Sequence, residues 1–249
     1  MLLKTGSLAV CTASFLYTFY VLIHFTYFLS RHSSDFEMSW IQAQHPMVHY
    51  QEGPVLFSLL VNMSLLSLFM LQHTVMAKEF TKNLFCKLHI QYLDRSLYNA
   101  TSAAVLHLLL THWQVLPSTA LWSIATSSNI PLWFFFIGLH VLTWAIIYSG
   151  CLMMDISELA GLKQVYFKIS GRPSPVSMKS KELIRFYEHM RHPSFIGFLV
   201  ILWIHPFMTL DRVLLASVLT IYMALRWNID EADYKYHATF VKLKKGELF

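Results

Sequence analysis

The stretch YEHMRHPSFIGFLVILWIHPFMTLDRVLLASVLTIYMALRWNIDEADY, residues 187–234, decides how this chain folds. It opens on a basic corner, Arg191-His192-Pro193. It then runs through two apolar spans, roughly 193–208 and 213–227, and closes on the carboxylates Asp230 and Glu231. Only residues 209–212 separate the spans, so the two form an antiparallel helical hairpin. A hairpin returns the chain to the side it left. His192 and the pair Asp230-Glu231, distant in sequence, are therefore expected at one membrane face. A histidine beside two carboxylates is the one constellation in the chain with the look of a site.

Working outward, composition sets the class. Hydrophobic residues make up 55% of the 249, and charged residues only 13%, against about 25% charged in an ordinary soluble domain. The charges sit in blocks between long uncharged runs, the pattern of a multi-pass membrane protein. The first run, Leu8 to Leu29, spans about 33 Å as a helix, enough for a hydrocarbon core of about 30 Å. It is longer than the apolar part of a cleaved signal peptide, so it reads as a retained span. Further runs cover 55–76, 96–113 and 131–154. The third carries Asn99, Thr101, Ser102, His107 and Thr111, which are expected to face neighbouring helices and hydrogen-bond there.

The basic residues test this partition. Of the 19 Lys and Arg, all but Arg31 and Arg212 fall on alternate segments. By the positive-inside rule this predicts six spans with both termini on the cytosolic or nucleoplasmic side. The expected fold is all-α: a multi-pass bundle of six transmembrane helices in one domain, residues 1–249. It carries a basic loop at 155–192, the C-terminal hairpin and a polar tail at 228–249. Within the basic loop, Ser180 reads as an N-cap, and Leu183, Phe186, Tyr187 and Met190 share one face of a surface helix.

Several chemistries drop out. Cys11, Cys86 and Cys151 have no C-x-x-C spacing, and the 13 histidines include no H-E-x-x-H helix, so no metal is expected. There is no phosphate-cradling glycine loop and no nucleophile elbow. The formal charge of +5 resides in the loops, where acidic headgroups of the lipid bilayer are the natural partner and nucleic acid is not. The sequons at Asn62 and Asn99 fall inside spans and are expected to stay unglycosylated. Among the spans only Arg226, at an end, is charged, so a channel or carrier lacks its ion path.

The segments Gln72–Lys78, Asp94–Tyr98, Glu158–Tyr166, Arg191-His192-Pro193, Trp203, Pro206, Met208-Thr209 and Asp230–Asp233 stand out within the stretch from about Gln51 to Tyr234. Together they resemble the nurim family of multi-pass inner nuclear membrane proteins. That family in turn resembles bacterial thiol S-methyltransferases and isoprenylcysteine carboxyl methyltransferase, whose last hairpin holds S-adenosylmethionine. The resemblance implies a methyltransferase-like bundle. It assigns cofactor binding to Tyr187, His192, Pro193, Ser194, Phe195, Asp230 and Glu231, and substrate binding to Arg226. Two departures count against activity. Residues 234–245 lack the glycine, proline and tyrosine spacing of the enzymes' tail, and Asp230 is one methylene shorter than their glutamate. The function expected is a non-enzymatic inner nuclear membrane protein with a vestigial cofactor pocket and nuclear envelope or nucleoplasmic partners. The alternative is an S-adenosylmethionine-dependent membrane methyltransferase acting on a thiol or carboxylate, with the endoplasmic reticulum as the alternative location.

Overall fold

A computed structural model describes residues 2–31, 54–126, 128–179 and 194–226. The elements are α1 (Leu2–Ser30), α2 (Val55–Ala77), α3 (Glu79–Lys87), α4 (Asp94–His112), β1 (Ala120–Ser123) and α5 (Ile130–Met153). They continue as α6 (Ile156–Leu159), α7 (Leu162–Ile169), α8 (Phe195–Trp203), β2 (Phe207–Thr209) and α9 (Leu210–Arg226). Three helices are long and apolar enough to cross a membrane, within Thr5–Ser30, Val55–Ala77 and Ile130–Leu152. Their outer faces expose large apolar side chains such as Phe19, Leu56 and Phe134, as a lipid-facing surface does.

Side-chain ties fix the direction of each helix. Asn62 of α2 holds Gln114 just past α4, while Gln72 holds Thr101 further down α4, so α2 and α4 run antiparallel. Ser14 of α1 reaches Ser96 O and Tyr17 reaches His107, so α1 runs with α4. His140 and Trp144 of α5 meet Ser30, while Tyr148 meets Thr26, so α5 opposes α1. Gly197 of α8 packs on Ile147 and the following Ile204 O faces His140, so α8 opposes α5. Asp211 of α9 meets Trp113 and Tyr222 meets Thr74, so α9 opposes α4. In chain order α1, α2, α4, α5, α8 and α9 thus alternate in direction. The end holding Leu29, Leu116 and Asp211 is called the upper end here, and the opposite end the lower.

The core lies where these helices meet: Leu29, Leu66, Leu109, Trp113, Ile147, Ile201 and Leu215 are buried together. Gly197 lets α8 approach α5 closely, since a Cβ there would stand 2.7 Å from Ile147 Cγ1. Small residues at such contacts let membrane helices pack backbone to backbone.

The sequence reading needs correction at the hairpin. The helix expected over 193–208 ends at Trp203, and residues 207–209 form β2, which pairs antiparallel with β1 (Ala120↔Thr209, Ser123↔Phe207). Ile124 N–H adds a bond to Pro206 O at 2.8 Å. Pro206 supplies no N–H and cannot continue a helix. The ribbon provides backbone partners that lipid cannot. The chain is predominantly helical, as expected, with one short two-stranded ribbon among the described residues. The linker is also misplaced: Asp211 and Arg212 lie in the first turn of α9, both buried. The expected surface helix near residue 183 and the tail at 228–249 lie outside the described residues.

Candidate functional site

Of the residues assigned to the site, Tyr187, His192, Pro193, Asp230 and Glu231 lie outside the described residues. Ser194 and Phe195 begin α8, with Ser194 as a half-buried N-cap whose side chain makes no capping bond. Arg226 is the last residue of α9. The described part of the hairpin does fix its register. Trp203 Nε1–H donates to Thr220 Oγ1 at 3.0 Å, holding the upper end of α8 beside the middle of α9. From that tie Phe195 lies about 12 Å lower and Arg226 about 9 Å lower, at 1.5 Å per residue. The two lower ends thus finish at nearly one level, the level from which the two flanking segments depart.

The sequence reading missed two polar clusters, one tying elements together at the upper end and one confined to the connection 155–179 at the lower. At the upper end, Asp211 is buried and its carboxylate accepts from Trp113 Nε1–H at 2.9 Å and from Leu116 N–H at 3.1 Å. Arg212 Nη2 donates to Leu29 O at 2.9 Å, capping the last turn of α1. His205 Nε2–H donates to Arg31 O at 2.5 Å, and Trp122 Nε1–H donates to His205 O at 3.0 Å. Buried polar groups of this kind carry a cost unless partnered, and here each side chain covers a main-chain group at a helix end or in the ribbon. An Asp-Arg pair directly before an apolar run was the available signal. Its reading as a loop followed from placing the span boundary at the last charge.

At the lower end, Asp155 takes a positive φ of 62° and caps α6 by accepting from Ser157 N–H at 3.0 Å and Glu158 N–H at 3.3 Å. Lys163 Nζ lies 2.7 Å from its other oxygen, and Lys179 Nζ lies 2.6 Å from Glu158 Oε1. The Lys163 hydrogen bond, followed by that from Ser157, holds the Asp155 carboxyl down to about 2. A depressed carboxyl stabilises the fold fully above its ordinary value of 3.8 and ceases to do so as pH falls through about 2. Unfolding temperature measured between pH 5 and pH 2 is expected to fall less steeply in Asp155→Asn than in the parent. The difference is small, since the Asp155 side chain is 37% exposed and solvent screens the pair. Identical slopes would show that the pair contributes nothing.

Of the third span's polar residues, Asn99, Thr101, Ser102 and His107 meet neighbouring elements as expected, whereas Thr111 is exposed and bonds within its own helix. Asn99 Nδ2 donates to Leu159 O at 2.8 Å, Ser102 Oγ to Gln72 Oε1 at 3.2 Å, and Gln72 Nε2 to Thr101 Oγ1 at 2.8 Å. Asn62, the other sequon asparagine, is wholly buried and holds both Gln114 N–H and Gln114 O at 2.8 Å.

Comparison with known proteins follows this architecture. No family model and no solved structure matches the chain. It is 39% identical over 249 residues to the nurim homolog of Drosophila pseudoobscura pseudoobscura, covering 98% of this chain and 97% of that one. Against the nurim homolog of Drosophila melanogaster the identity is 35% over the same shares. Against human nurim it is 35% over 206 residues, 81% of this chain and 75% of that one. With over a third of its residues identical along almost the full length of two such relatives, this membrane chain belongs to the nurim family.

Proposed function

We propose that this chain is a six-span protein of the inner nuclear membrane with a non-enzymatic role. In this reading the hairpin's lower end is a vestige of a cofactor pocket. The observation that carries the topology is the alternation of α1, α2, α4, α5, α8 and α9. It sends the basic segments around Lys82, Arg95, Lys163 and Arg172 to the lower end and leaves Arg31 and Arg212 at the upper. That asymmetry supports a nucleoplasmic or cytosolic lower face, available to nuclear envelope partners and acidic lipid. The inner nuclear membrane rests on the family resemblance. A tagged chain at native expression is expected to concentrate at the nuclear rim; even spread through the endoplasmic reticulum would overturn the location.

One observation favours the methyltransferase alternative. The lower ends of α8 and α9 lie level, and it is to these ends that the segments carrying His192 and Asp230-Glu231 connect in sequence. In that reading Tyr187, His192, Asp230 and Glu231 hold the cofactor, which supplies an electrophilic methyl group, and Arg226 orients an acidic substrate. The two readings separate in one measurement on detergent-purified protein. A retained site stabilises the folded state by about 2.7 kcal/mol at a hundredfold excess over Kd. The vestigial reading expects no rise in unfolding temperature with millimolar S-adenosylmethionine. A rise abolished by His192→Ala and by Glu231→Ala would replace it with the enzyme reading.

A further inference from the structure

Beside the buried core, α1, α2, α4, α8 and α9 line a partly open cavity of about 300 Å³. Its walls are chiefly carbon, with Leu66, Phe69, Ala103, Leu109 and Leu215 among them, and among the described residues no Lys, Arg, Asp or Glu reaches it. In its wall the Thr18 hydroxyl is buried and meets no hydrogen-bond partner among the described residues. Tyr98 belongs to this wall and also to that of a second recess, of about 200 Å³, at the lower face. The second recess has the opposite chemistry: it is lined by Lys82, Asp94 and Arg95. Among the described residues no ion pair joins any of these three charges. The recess therefore carries one more cation than anion.

The depth of the recess follows from α3. Phe80, Leu84 and Leu88, just past the helix, recur at four-residue spacing and are 76%, 44% and 57% exposed. An exposed apolar stripe on a short charged helix lies at the boundary of headgroups and acyl chains. Lys82, on the same helix, then stands at headgroup level, and the apolar cavity beyond Tyr98 stands at acyl level. Basic recesses between membrane helices on this side take anionic headgroups. The apolar volume is at the small end of ligand pockets, which run from about 300 to 1,000 Å³, room for one chain.

We propose that the two recesses form one lipid site, taking an anionic phospholipid with its phosphate between Lys82 and Arg95 and a single acyl chain past Tyr98 into the cavity. The site is distinct from the hairpin's lower end and does not depend on a cofactor there. It rests on the membrane reading of the chain and on the lower face being a headgroup surface.

The test uses full-length protein in mild detergent and oleoyl lysophosphatidic acid as probe, followed by native mass spectrometry and by titration. Saturable one-to-one binding is expected, weakened roughly tenfold or more in Lys82→Ala/Arg95→Ala, both residues being exposed. Ala103→Phe, which fills the cavity from α4, is expected to remove binding while the recess charges remain. Equal binding of oleyl alcohol, unchanged in the charge variant, would overturn the headgroup assignment. Equal competition by inorganic phosphate would show a free-anion site instead of a lipid. Probe binding unaltered by both variants, or none in folded protein, would overturn the site. Chemical cross-links from Lys82 to residues 227–249 that exclude the probe would show that the chain's own tail occupies it.

Discussion

Asp211→Ala is expected to destabilise the folded protein by about 3–5 kcal/mol, among the largest effects of any single substitution in the bundle. Hydrogen bonds between membrane helices average only about 0.6 kcal/mol when measured by paired substitution. That average describes bonds whose partners find alternatives. Asp211 instead serves Trp113 Nε1–H and Leu116 N–H, both in residues at most 8% exposed. Alanine leaves two buried donors without an acceptor, and each such orphan costs about 1–3 kcal/mol. Asp211→Asn keeps one acceptor oxygen and should lie between parent and alanine. Unfolding of the three proteins in one detergent decides the matter. A loss under about 1 kcal/mol for alanine would mean that water reaches this corner and replaces the carboxylate.

Gly161→Ala should cost about 3 kcal/mol or more, for two separable reasons. Gly161 has a φ of 88°, and a side chain in that region costs about 1–2 kcal/mol. A Cβ there would also stand 2.4 Å from Ser96 Oγ and 2.8 Å from Ser96 N. The backbone nitrogen cannot swing aside as a rotamer does, so α7 must lift off α4. Ser96 meanwhile is tied on both sides, its carbonyl accepting from Ser14 Oγ at 2.6 Å and its hydroxyl donating to Ala160 O at 3.4 Å. Gly171 supplies the control: its φ is 68° but a Cβ there meets nothing within 4 Å. The excess of Gly161→Ala over Gly171→Ala isolates the collision. Equal losses would show that the junction yields freely.

Helix existence and direction were legible because charge blocks and apolar runs are local signals. Leu8–Leu29 and Val55–Met76 each match an observed helix to within a turn or two. A short apolar hairpin is antiparallel for want of chain to be otherwise. What escaped was pairing across long separations. Nothing in the uncharged run 114–130 marks Ala120–Ser123 as the partner of Phe207–Thr209, some 85 residues later. Trp122, Leu121 and Phe207 read equally well as membrane-interface residues. Asp211 and Arg212 were mistaken for linker because a charge beside an apolar run reads as its boundary, whereas Asp211 is satisfied by Trp113 and Leu116 just past α4 and Arg212 by Leu29 in the last turn of α1. Of the residues assigned to the hairpin's site, Tyr187, His192, Pro193, Asp230 and Glu231 lie outside the described residues, and what the structure adds is the level register of the two helices. The two recesses were illegible because their walls come from separate helices, α1, α2, α4, α8 and α9 for the apolar cavity and the end of α2 with α3 and α4 for the basic one, which meet only through packing.

The late position of Asp211 has a consequence for how the protein is made. Trp113 and Leu116 emerge from the ribosome nearly a hundred residues before the carboxylate that receives their N–H groups, and β1 emerges long before β2. Until the last hairpin docks, the upper end of the nascent bundle displays an unfilled socket of main-chain and indole donors. Docking of α8 and α9 is thus a keyed step, completed when Asp211 arrives in register. A chain truncated before Leu210 keeps that socket open.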